Sequence, residues 1–527
     1  MKDLLLRTGL MAVAVAGLVT VVVVARLVFS PIDPLPEGEA HPFSVDEAVA
    51  VERLADALAV SATLSSAGEQ DAADPPDSAE SWLRFLDHLQ EAFPRIHDEL
   101  RVERPAGSSV LYTWTGTDPD LPPVLLAIHG GSRADARDVR TAKSLTAQLA
   151  LLEAVEGRLA EGMTPGRTIF LALSGVGEGP DARRIAETLE DRGIQPAWVL
   201  VGGGELGPGS ATGLTTGLVP GVVDPVALVG VAERGFMEIE LTLTGEADEA
   251  QADDVQAEGA PAGGPARRYG RVEIGTIGEG RVEEGPPAGM LAQGVARLQE
   301  PFDARIEGPG RELLETMAAH MDPGTRMLIR NLWLFRGPVE RALAQERGSM
   351  ELVRTTTVPT FIRAGADGPD HAAELPPLAR VRLHLAPWDS VEDVLETIRA
   401  RLRGLGVEVS LRGQPAMSTI EPDQVGSPGP GEDYRGDGFT RIRAAVHHTF
   451  PDVVAVTPGV ALTPTAGRHY REVADAVYRF SAHRVRVPES HGVQESHGVQ
   501  AEPIPERQYL SMVRFYAELV QRSSEVE

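Results

Sequence analysis

Between residues 110 and 201, short apolar segments alternate with amphipathic segments of helical length, and this order restricts the fold more than any other feature of the chain. Strands that alternate with helices of this length are typical of an α/β layer with a largely parallel sheet. A similar pattern resumes at about Tyr434 and continues to the C-terminus. The sequence therefore predicts an α/β fold. Its first elements are expected to be strands at 110–115, 124–129, 168–173 and 198–201, with helices at 144–161 and 182–192.

The region between these two α/β parts has a different character. Apolar and polar residues alternate with a period of two over 229–245, which is typical of a half-exposed antiparallel strand. Further strands are predicted at 354–364 and 378–385, and a helix at 391–405. This combination indicates an α+β domain.

We therefore expect one domain to be inserted in another. The α/β domain would have a first part at 44–225 and a second part at 413–527, with the α+β domain at 226–412 between them. Within the inserted domain, 246–270 is rich in Asp, Glu, Ala, Gly and Pro and has no apolar period. Such a composition predicts a disordered surface loop.

An apolar segment near the N-terminus predicts a membrane span. Residues 8–25 carry no charge and three of the next four residues are apolar, while roughly 20 apolar residues span a bilayer. We expect 1–29 to form an uncleaved signal anchor, and the alternative is a cleaved signal peptide, although no small-x-small site follows the run. Lys2 and Arg7 precede it, so the N-terminus is expected inside and the bulk of this single-pass membrane protein outside the cytoplasm. The proline-rich segment 30–43 would form a stalk.

Composition excludes several classes of function. The chain has 49 Lys and Arg against 77 Asp and Glu, a net charge of −28. Nucleic acid is excluded as a partner because phosphate binding depends on clustered cations. The absence of Cys excludes disulfide frameworks, thiol nucleophiles and thiolate metal sites. Lys2 and Lys143 are the only lysines.

His129 is the first candidate for chemistry, because it ends an apolar run and is followed by Gly130 and Gly131. Open α/β sheets bind their ligands at the carboxyl ends of strands. A His-Gly-Gly sequence also suits the oxyanion loop of esterases, but that interpretation needs a G-x-S-x-G motif, which the chain lacks. The run Gly202–Gly207 satisfies G-x-G-x-x-G, yet the residues after it cannot form the helix that a dinucleotide site requires.

Several short motifs occur in an order that resembles the M20 zinc metallopeptidases, specifically the membrane-anchored branch with the N-acyl-amino-acid synthase/hydrolase and vacuolar carboxypeptidase S. They are FLAL at 170–173, NLWLF at 331–335, RTTT at 354–357 and VYRF at 477–480. The resemblance covers roughly residues 44–520. It implies a zinc-binding α/β domain interrupted by a lid and dimerisation domain, a homodimer formed through that lid, and chemistry on amide bonds by a metal-bound water.

The resemblance also implies metal ligands, of which few are present. His129 matches the first ligand and Glu178 another, while the last ligand His matches either His491 or His497 in a six-residue tandem repeat. The other positions hold residues that cannot take the family's roles: Gly131 for the Asp that orients the His, Thr141 for the bridging Asp, Gly177 for the general base and Val201 for a ligand carboxylate.

The residues that lie around the metal site in the family are also matched only in part. Arg137 and Lys143 match the ends of the segment that carries the family's bridging Asp. In the lid, His384 stands where the family has an Arg that contacts substrate. The family's lid His falls on Glu246 and its Asn on Ala373.

These substitutions predict an M20-like protein that has lost the binuclear zinc site and acts as a binding or regulatory pseudoenzyme. One zinc ion at most is expected, and none is equally consistent with the residues. One alternative is an active amidohydrolase or carboxypeptidase that acts on N-acyl amino acids or peptides with a single metal at His129, Glu178 and His491 or His497. Another is a structural homodimeric envelope protein. The sequence names no small-molecule or peptide ligand.

Overall fold

The chain divides into two compact units. The first unit contains Met1–Arg234, Ala304–Val353 and Ile420–Glu527, and the second contains Gly235–Asp303 and Arg354–Thr419. The computed structural model describes residues 17–27, 39–66, 78–105, 109–130, 139–174, 180–203, 212–216, 222–243, 287–345, 347–363, 377–412, 436–474, 476–486 and 504–525.

The first unit is built on a ten-stranded sheet with the order β1-β2-β4-β3-β5-β13-β7-β6-β14, in which β12 also pairs with β7. Strands β3, β4, β5 and β13 run parallel to one another, as the alternation of strands and helices predicts. The strands are β1 Arg101–Glu103, β2 Ser109–Trp114, β3 Val124–His129, β4 Ile169–Ser174, β5 Trp198–Gly203, β6 Gly213–Thr216, β7 Val226–Glu233, β12 Ala455–Ala461, β13 Val477–Arg479 and β14 Arg484–Arg486.

Helices cover both faces of this sheet. Opposite one face, α6 (Pro180–Asp191) and a 3-10 helix (Ala466–His469) share an apolar cluster with the central strands. The helices that share the larger cluster on the other face are α2 Glu47–Ser66, α3 Ser78–Ala92, α4 Pro94–Glu99, α5 Val139–Ala160, α13 Asp437–Thr449 and α14 Glu506–Ser524.

The packing of strand β3 on both faces explains why its residues 124–128 are all apolar. Leu126 and Ile128 belong to the cluster under α5 and α14, whereas Leu125 and Ala127 belong to the cluster under α6. Successive side chains of a strand point to opposite faces, so a strand covered on both sides has no polar face. By the same alternation, His129 faces the side of α6 and the 3-10 helix.

Four further helices belong to the first unit, although the sequence places them in the inserted domain. They share an apolar cluster with β7 and β12, which includes Val226, Leu228 and Ala455. An amphipathic helix shows which face is apolar but not which sheet covers it, so the prediction of one domain over 226–412 is wrong here. The helices are α8 Gly308–Met317, α9 Pro323–Arg330, α10 Leu332–Gln345 and α11 Arg347–Val353.

The second unit is a four-stranded antiparallel sheet with the order β11-β8-β10-β9. Two helices share an apolar cluster with this sheet. The elements are β8 Gly235–Leu243, α7 Pro287–Leu298, β9 Thr356–Arg363, β10 Leu378–Leu385, α12 Val391–Leu402 and β11 Val407–Leu411. The predicted strands and helix at 354–405 are therefore present, while the insertion 246–270 lies outside the described residues.

The chain passes from one unit to the other between β7 and β8. The sequence predicts a single alternating strand at 229–245, but the structure has two strands separated by Arg234. Every residue of β7 is buried and the strand runs parallel to β12, whereas only β8 alternates between buried and half-buried residues. The inserted unit thus begins at Gly235 rather than at 226.

The N-terminal segment is described in part. Residues 17–27 form a helix, α1, and the rest of the predicted anchor at 1–29 lies outside the described residues. Within the part of the chain that is described, no helix is both long and apolar enough to cross a membrane.

The end of the predicted stalk is attached to the folded body. The backbone N–H of His41 donates to Glu518 of α14 at 3.0 Å, and the carbonyl of Pro42 accepts from Arg158 of α5 at 3.1 Å. The Arg158 guanidinium also lies over the Phe43 ring, 4.9 Å from its centroid. Residues 39–43 are therefore part of the body, and only 30–38 remain as a candidate stalk.

Candidate functional site

His129 ends β3, and its ring is enclosed by two hydroxyl groups. Nδ1 lies 2.9 Å from the Ser174 hydroxyl, and Nε2 lies 2.9 Å from the Tyr470 hydroxyl. In the sheet register His129 pairs with Ser174 of β4 and with Gly203 of β5. Tyr470 follows the 3-10 helix, and its ring stacks on the imidazole with the centroids 5.8 Å apart. All three side chains are buried. We call His129, Ser174 and Tyr470 the hydroxyl–histidine cluster.

Burial keeps this cluster uncharged. Removal from water disfavours the imidazolium, and the neighbouring His469 disfavours it further, so the pKa of His129 falls to about 3. Burial likewise raises the pKa of the Tyr470 hydroxyl well above its ordinary value. A neutral imidazole has one N–H donor and one acceptor nitrogen, and a hydroxyl can serve as the partner of either. Both contacts are therefore compatible with either tautomer.

The contacts of His129 do not suit a zinc ligand. A zinc-binding His turns one unprotonated nitrogen to the metal and donates its other N–H, often to a carboxylate or a carbonyl. Here both nitrogens already contact hydroxyls. Val201 of β5, where the resemblance implies a ligand carboxylate, is buried in the apolar cluster on the same face. Among the described residues, no group of three His, Cys, Asp or Glu side chains could hold a metal ion.

The structure places only some of the predicted site residues. His384 lies in β10 of the second unit, half-buried, with its ring in a T-shaped contact with Phe236 at 5.8 Å between centroids. Thr141 and Lys143 belong to α5, and their side chains are outside the description. The convergence of His129 with Glu178 and a C-terminal His therefore stays a prediction. The predicted positions that lie outside the described residues are Gly131, Arg137, Gly177, Glu178, Glu246, Ala373, His491 and His497.

A second polar cluster is buried at the end of β7. Glu233 is fully buried, and its Oε1 accepts from the Arg468 guanidinium, with Nε at 3.0 Å. Its Oε2 accepts from Arg479 Nε at 3.1 Å and from the Thr465 hydroxyl at 2.8 Å. Arg479 is 2% exposed. We call Glu233, Thr465, Arg468 and Arg479 the ionic cluster.

The two clusters are connected through one element. The 3-10 helix Ala466–His469 carries Arg468, and the next residue is Tyr470. The ion pair of Arg468 with Glu233 therefore fixes the segment that holds the Tyr470 hydroxyl against His129. The ionic cluster therefore holds the segment of chain that leads directly into Tyr470.

Sequence reasoning does not find these partners. A signal exists for Ser174, because β3 and β4 are parallel strands of equal length and their last residues pair. A weaker signal exists for Glu233 and Arg479, which are charged residues within otherwise apolar strands. The sequence offers no signal for Tyr470, which is distant from His129 along the chain.

Comparisons with known proteins agree with the motifs. No protein-family model matches the chain. An N-fatty-acyl-amino acid synthase/hydrolase of Danio rerio is 26% identical over 468 residues, which cover 82% of this chain and 79% of that protein. A probable carboxypeptidase S-like protein of Dictyostelium discoideum is 26% identical over 497 residues, which cover 89% of this chain and 85% of that protein.

Among solved structures, human carnosine dipeptidase 1 is similar with a TM-score of 0.49 and 13% identity, covering 91% of this chain and all of that chain. An M20 family metallo-carboxypeptidase from Sulfolobus solfataricus has a TM-score of 0.42 at 12% identity, covering 85% of this chain and 98% of that chain. The sequence relatives of this chain thus include an N-fatty-acyl-amino acid synthase/hydrolase and a carboxypeptidase S-like protein, the two kinds of protein that its motifs resemble.

Proposed function

We propose that this chain is a membrane-anchored, M20-peptidase-like protein that has lost the binuclear zinc site and binds its ligand without hydrolysing it. The observation that carries the proposal is the hydroxyl–histidine cluster. The one predicted metal-binding side chain that the structure describes in the first unit has both nitrogens bonded to neutral hydroxyls in a fully buried position.

Zinc binding at His129 would require several unfavourable changes. The Tyr470 or the Ser174 hydroxyl would have to leave its nitrogen and find another partner in the interior. An unsatisfied buried hydroxyl costs about 1–3 kcal/mol. The divalent zinc ion would also need anionic ligands to compensate its charge in the interior. Val201 holds the position for which the resemblance implies a carboxylate, and it lies in an apolar cluster.

The lost general base supports the same proposal. The resemblance assigns that role to the position of Gly177, which has no side chain to accept a proton. Losing a positioned acid–base group costs typically about 10²–10⁴ in rate. A chain with neither the bridging carboxylate nor the base keeps the fold of a hydrolase without the groups that drive hydrolysis.

Elemental analysis and activity assays on the full chain test this proposal. We expect no stoichiometric zinc after dialysis against zinc-containing buffer, and no turnover of N-fatty-acyl amino acids or dipeptides above the uncatalysed rate. Two zinc ions per chain with turnover would overturn the proposal. One zinc ion with turnover, both lost in His129→Ala but kept in the matched control His320→Ala, a half-buried histidine of the first unit outside the predicted site, would establish the single-metal hydrolase instead.

The membrane anchor and a homodimer belong to the same proposal. The anchor is supported by the uncharged segment 8–25 and its basic N-terminal flank. The dimer is supported by β9, an edge strand of the second unit that exposes Val358, Phe361 and Ile362. We expect Ile362→Glu to shift a detergent-solubilised dimer to monomer by light scattering, and a wild-type monomer would contradict the dimer.

A further inference from the structure

We infer that the outer surface of helices α9 and α10 rests in the headgroup layer of an anionic lipid membrane, the same membrane that holds the N-terminal anchor. The inference rests on the proposed anchor at 1–29. It assigns a docking partner to a surface of the first unit, namely a lipid surface rather than a protein.

Exposed apolar residues first mark this surface. Trp333 and Leu334 are adjacent at the start of α10 and are 52% and 45% exposed. The inner face of the same helix is also apolar, because Leu332, Val339 and Leu343 belong to the core. A helix that faces water on one side normally carries polar residues there. Trp prefers the membrane interface, where its ring lies in an apolar layer and its N–H stays near water.

Asn331 joins this surface to the helix of the predicted anchor. Its Nδ2 donates to the carbonyl of Met327 at 2.9 Å and lies 3.5 Å from the carbonyl of Val23 in α1. Its Oδ1 accepts from the indole N–H of Trp333 at 3.3 Å. One buried side chain thus holds both the exposed indole and the backbone of α1. The apolar residues that α1 exposes are Leu18, Val21, Val22 and Val24.

The position of Val23 gives the depth of this contact. Val23 lies four residues before Leu27, the last described residue of α1, and a helix rises about 1.5 Å per residue. The contact is therefore about 6 Å along the helix from Leu27. Interfacial helices bury their apolar residues roughly 5–10 Å into the boundary between headgroups and acyl chains. Trp333 is joined to Val23 through Asn331, so the contact suits a ring that enters this boundary.

Charge supports an anionic lipid surface. The segment 323–345, which contains both helices, has four arginines and one glutamate, in a chain whose net charge is −28. Arg336 is paired with Glu340 and Glu307, while Arg341 is exposed. Lys and Arg near an anionic leaflet each contribute about 1 kcal/mol to binding. A locally basic segment beside exposed Trp and Leu has the composition of a peripheral membrane contact.

The connection to the anchor is also short. Residues 39–43 are fixed to the body, and the Glu39 carbonyl accepts from Arg522 of α14 at 2.8 Å. Ten residue steps separate residue 29 from Glu39, and a fully extended chain covers at most about 35 Å over that length. The body is therefore kept close to the bilayer, and contact with lipid costs little further chain entropy.

Fluorescence quenching by brominated lipid tests the docking. The full chain is reconstituted in vesicles of phosphatidylcholine with phosphatidylglycerol, in which the acyl chains are brominated near the headgroup. The chain contains five Trp residues. We expect partial quenching in the wild type, loss of that quenching in Trp333→Phe, and unchanged quenching in the matched control Trp82→Phe, whose ring is buried in the core.

The outcomes separate the docking from the proposed anchor. A chain that fails to float with vesicles contradicts the anchor itself. A chain that floats, but in which Trp333→Phe leaves the quenching unchanged, overturns the docking and leaves the anchor standing. Equal quenching in vesicles of phosphatidylcholine alone overturns the anionic preference. If quenching is absent and Trp333→Glu converts a dimer to monomer, the surface binds a second copy and the lipid assignment is wrong.

Discussion

The hydroxyl–histidine cluster is buried throughout and the ionic cluster is buried at Glu233 and Arg479, yet the two clusters satisfy their polar groups in opposite ways. His129 has no charged partner and is neutral between two hydroxyls. Glu233 is surrounded by two guanidinium groups and a hydroxyl. The 3-10 helix Ala466–His469 supplies Arg468 to one cluster, and Tyr470, the residue after it, belongs to the other.

The difference shows two ways in which a protein interior accommodates ionisable side chains. A buried charge must be paired, because an unpaired buried charge is costly, whereas a titratable ring can become neutral and take hydroxyl groups as partners. The ionic cluster therefore depends on every member, while the hydroxyl–histidine cluster should tolerate the loss of one contact better. The predictions below test this contrast.

The largest effect is expected for Glu233→Gln. This change leaves the buried Arg479 and the half-buried Arg468 without their carboxylate, and breaking a buried pair costs about 3–5 kcal/mol. Urea unfolding followed by circular dichroism measures the loss. The control is Glu103→Gln, which breaks ion pairs of a half-buried carboxylate with the more exposed Arg101 and Arg192 and should cost less than about 1 kcal/mol. Equal losses in the two variants would show that the ionic cluster contributes no more than a surface pair.

A smaller effect is expected when pH is lowered. The pKa of His129 is about 3 in the folded chain against an ordinary value of 6.5, so the unfolded chain binds more protons between these values. Stability is therefore full above pH 6.5 and falls as pH decreases towards 3, by about 1.4 kcal/mol per pH unit for one group.

The comparison of wild type with His129→Gln isolates that contribution. Between pH 6.5 and 5 the wild type should lose about 2 kcal/mol more than the variant in urea unfolding. Subtracting the variant removes most of the contribution of other histidines, such as the half-buried His469. Parallel pH profiles in the two proteins would mean that His129 is protonated without cost and that its site is not apolar.

The smallest effect is expected for Tyr470→Phe. The change removes one hydroxyl from His129 and leaves Nε2 without its partner, at a cost of about 1.5 kcal/mol. Tyr516→Phe is the matched control, because the Tyr516 hydroxyl is also buried but has no hydrogen-bond partner among the described residues. A melting temperature that falls equally in both variants would indicate that the Tyr470 hydroxyl contributes only packing.

The sequence predicts the central strands well because the signals that define them lie within a few neighbouring residues. β3, β4 and β5 are short apolar segments between helices, and their parallel pairing follows from the connections. The boundary between the two units is not local. The all-apolar strand β7 and the alternating strand β8 meet at Arg234, and no turn-forming residues separate them. The sequence pattern therefore predicts a single strand.

Of the candidate site, only His129 could be predicted from the sequence. His129 is recognisable because it ends a buried strand at the edge where α/β sheets bind ligands. Its partner Tyr470 lies 341 positions away, and Glu233 lies 235 positions from Arg468. No period or motif of a single sequence encodes such pairs. The residues that stand where the resemblance implies carboxylates are visible in the sequence, but the hydroxyl groups around the His129 ring are not.

The place of α14 has a consequence for synthesis of the chain. This helix packs against α5 and α13 and provides Glu518 to His41, yet it follows both helices in the chain and is made after them. Until residues 506–524 leave the ribosome, the side of α5 that α14 covers is exposed and His41 lacks the Glu518 carboxylate. The first unit therefore cannot complete its fold before α14 is made, and an intermediate with exposed apolar surface persists until then.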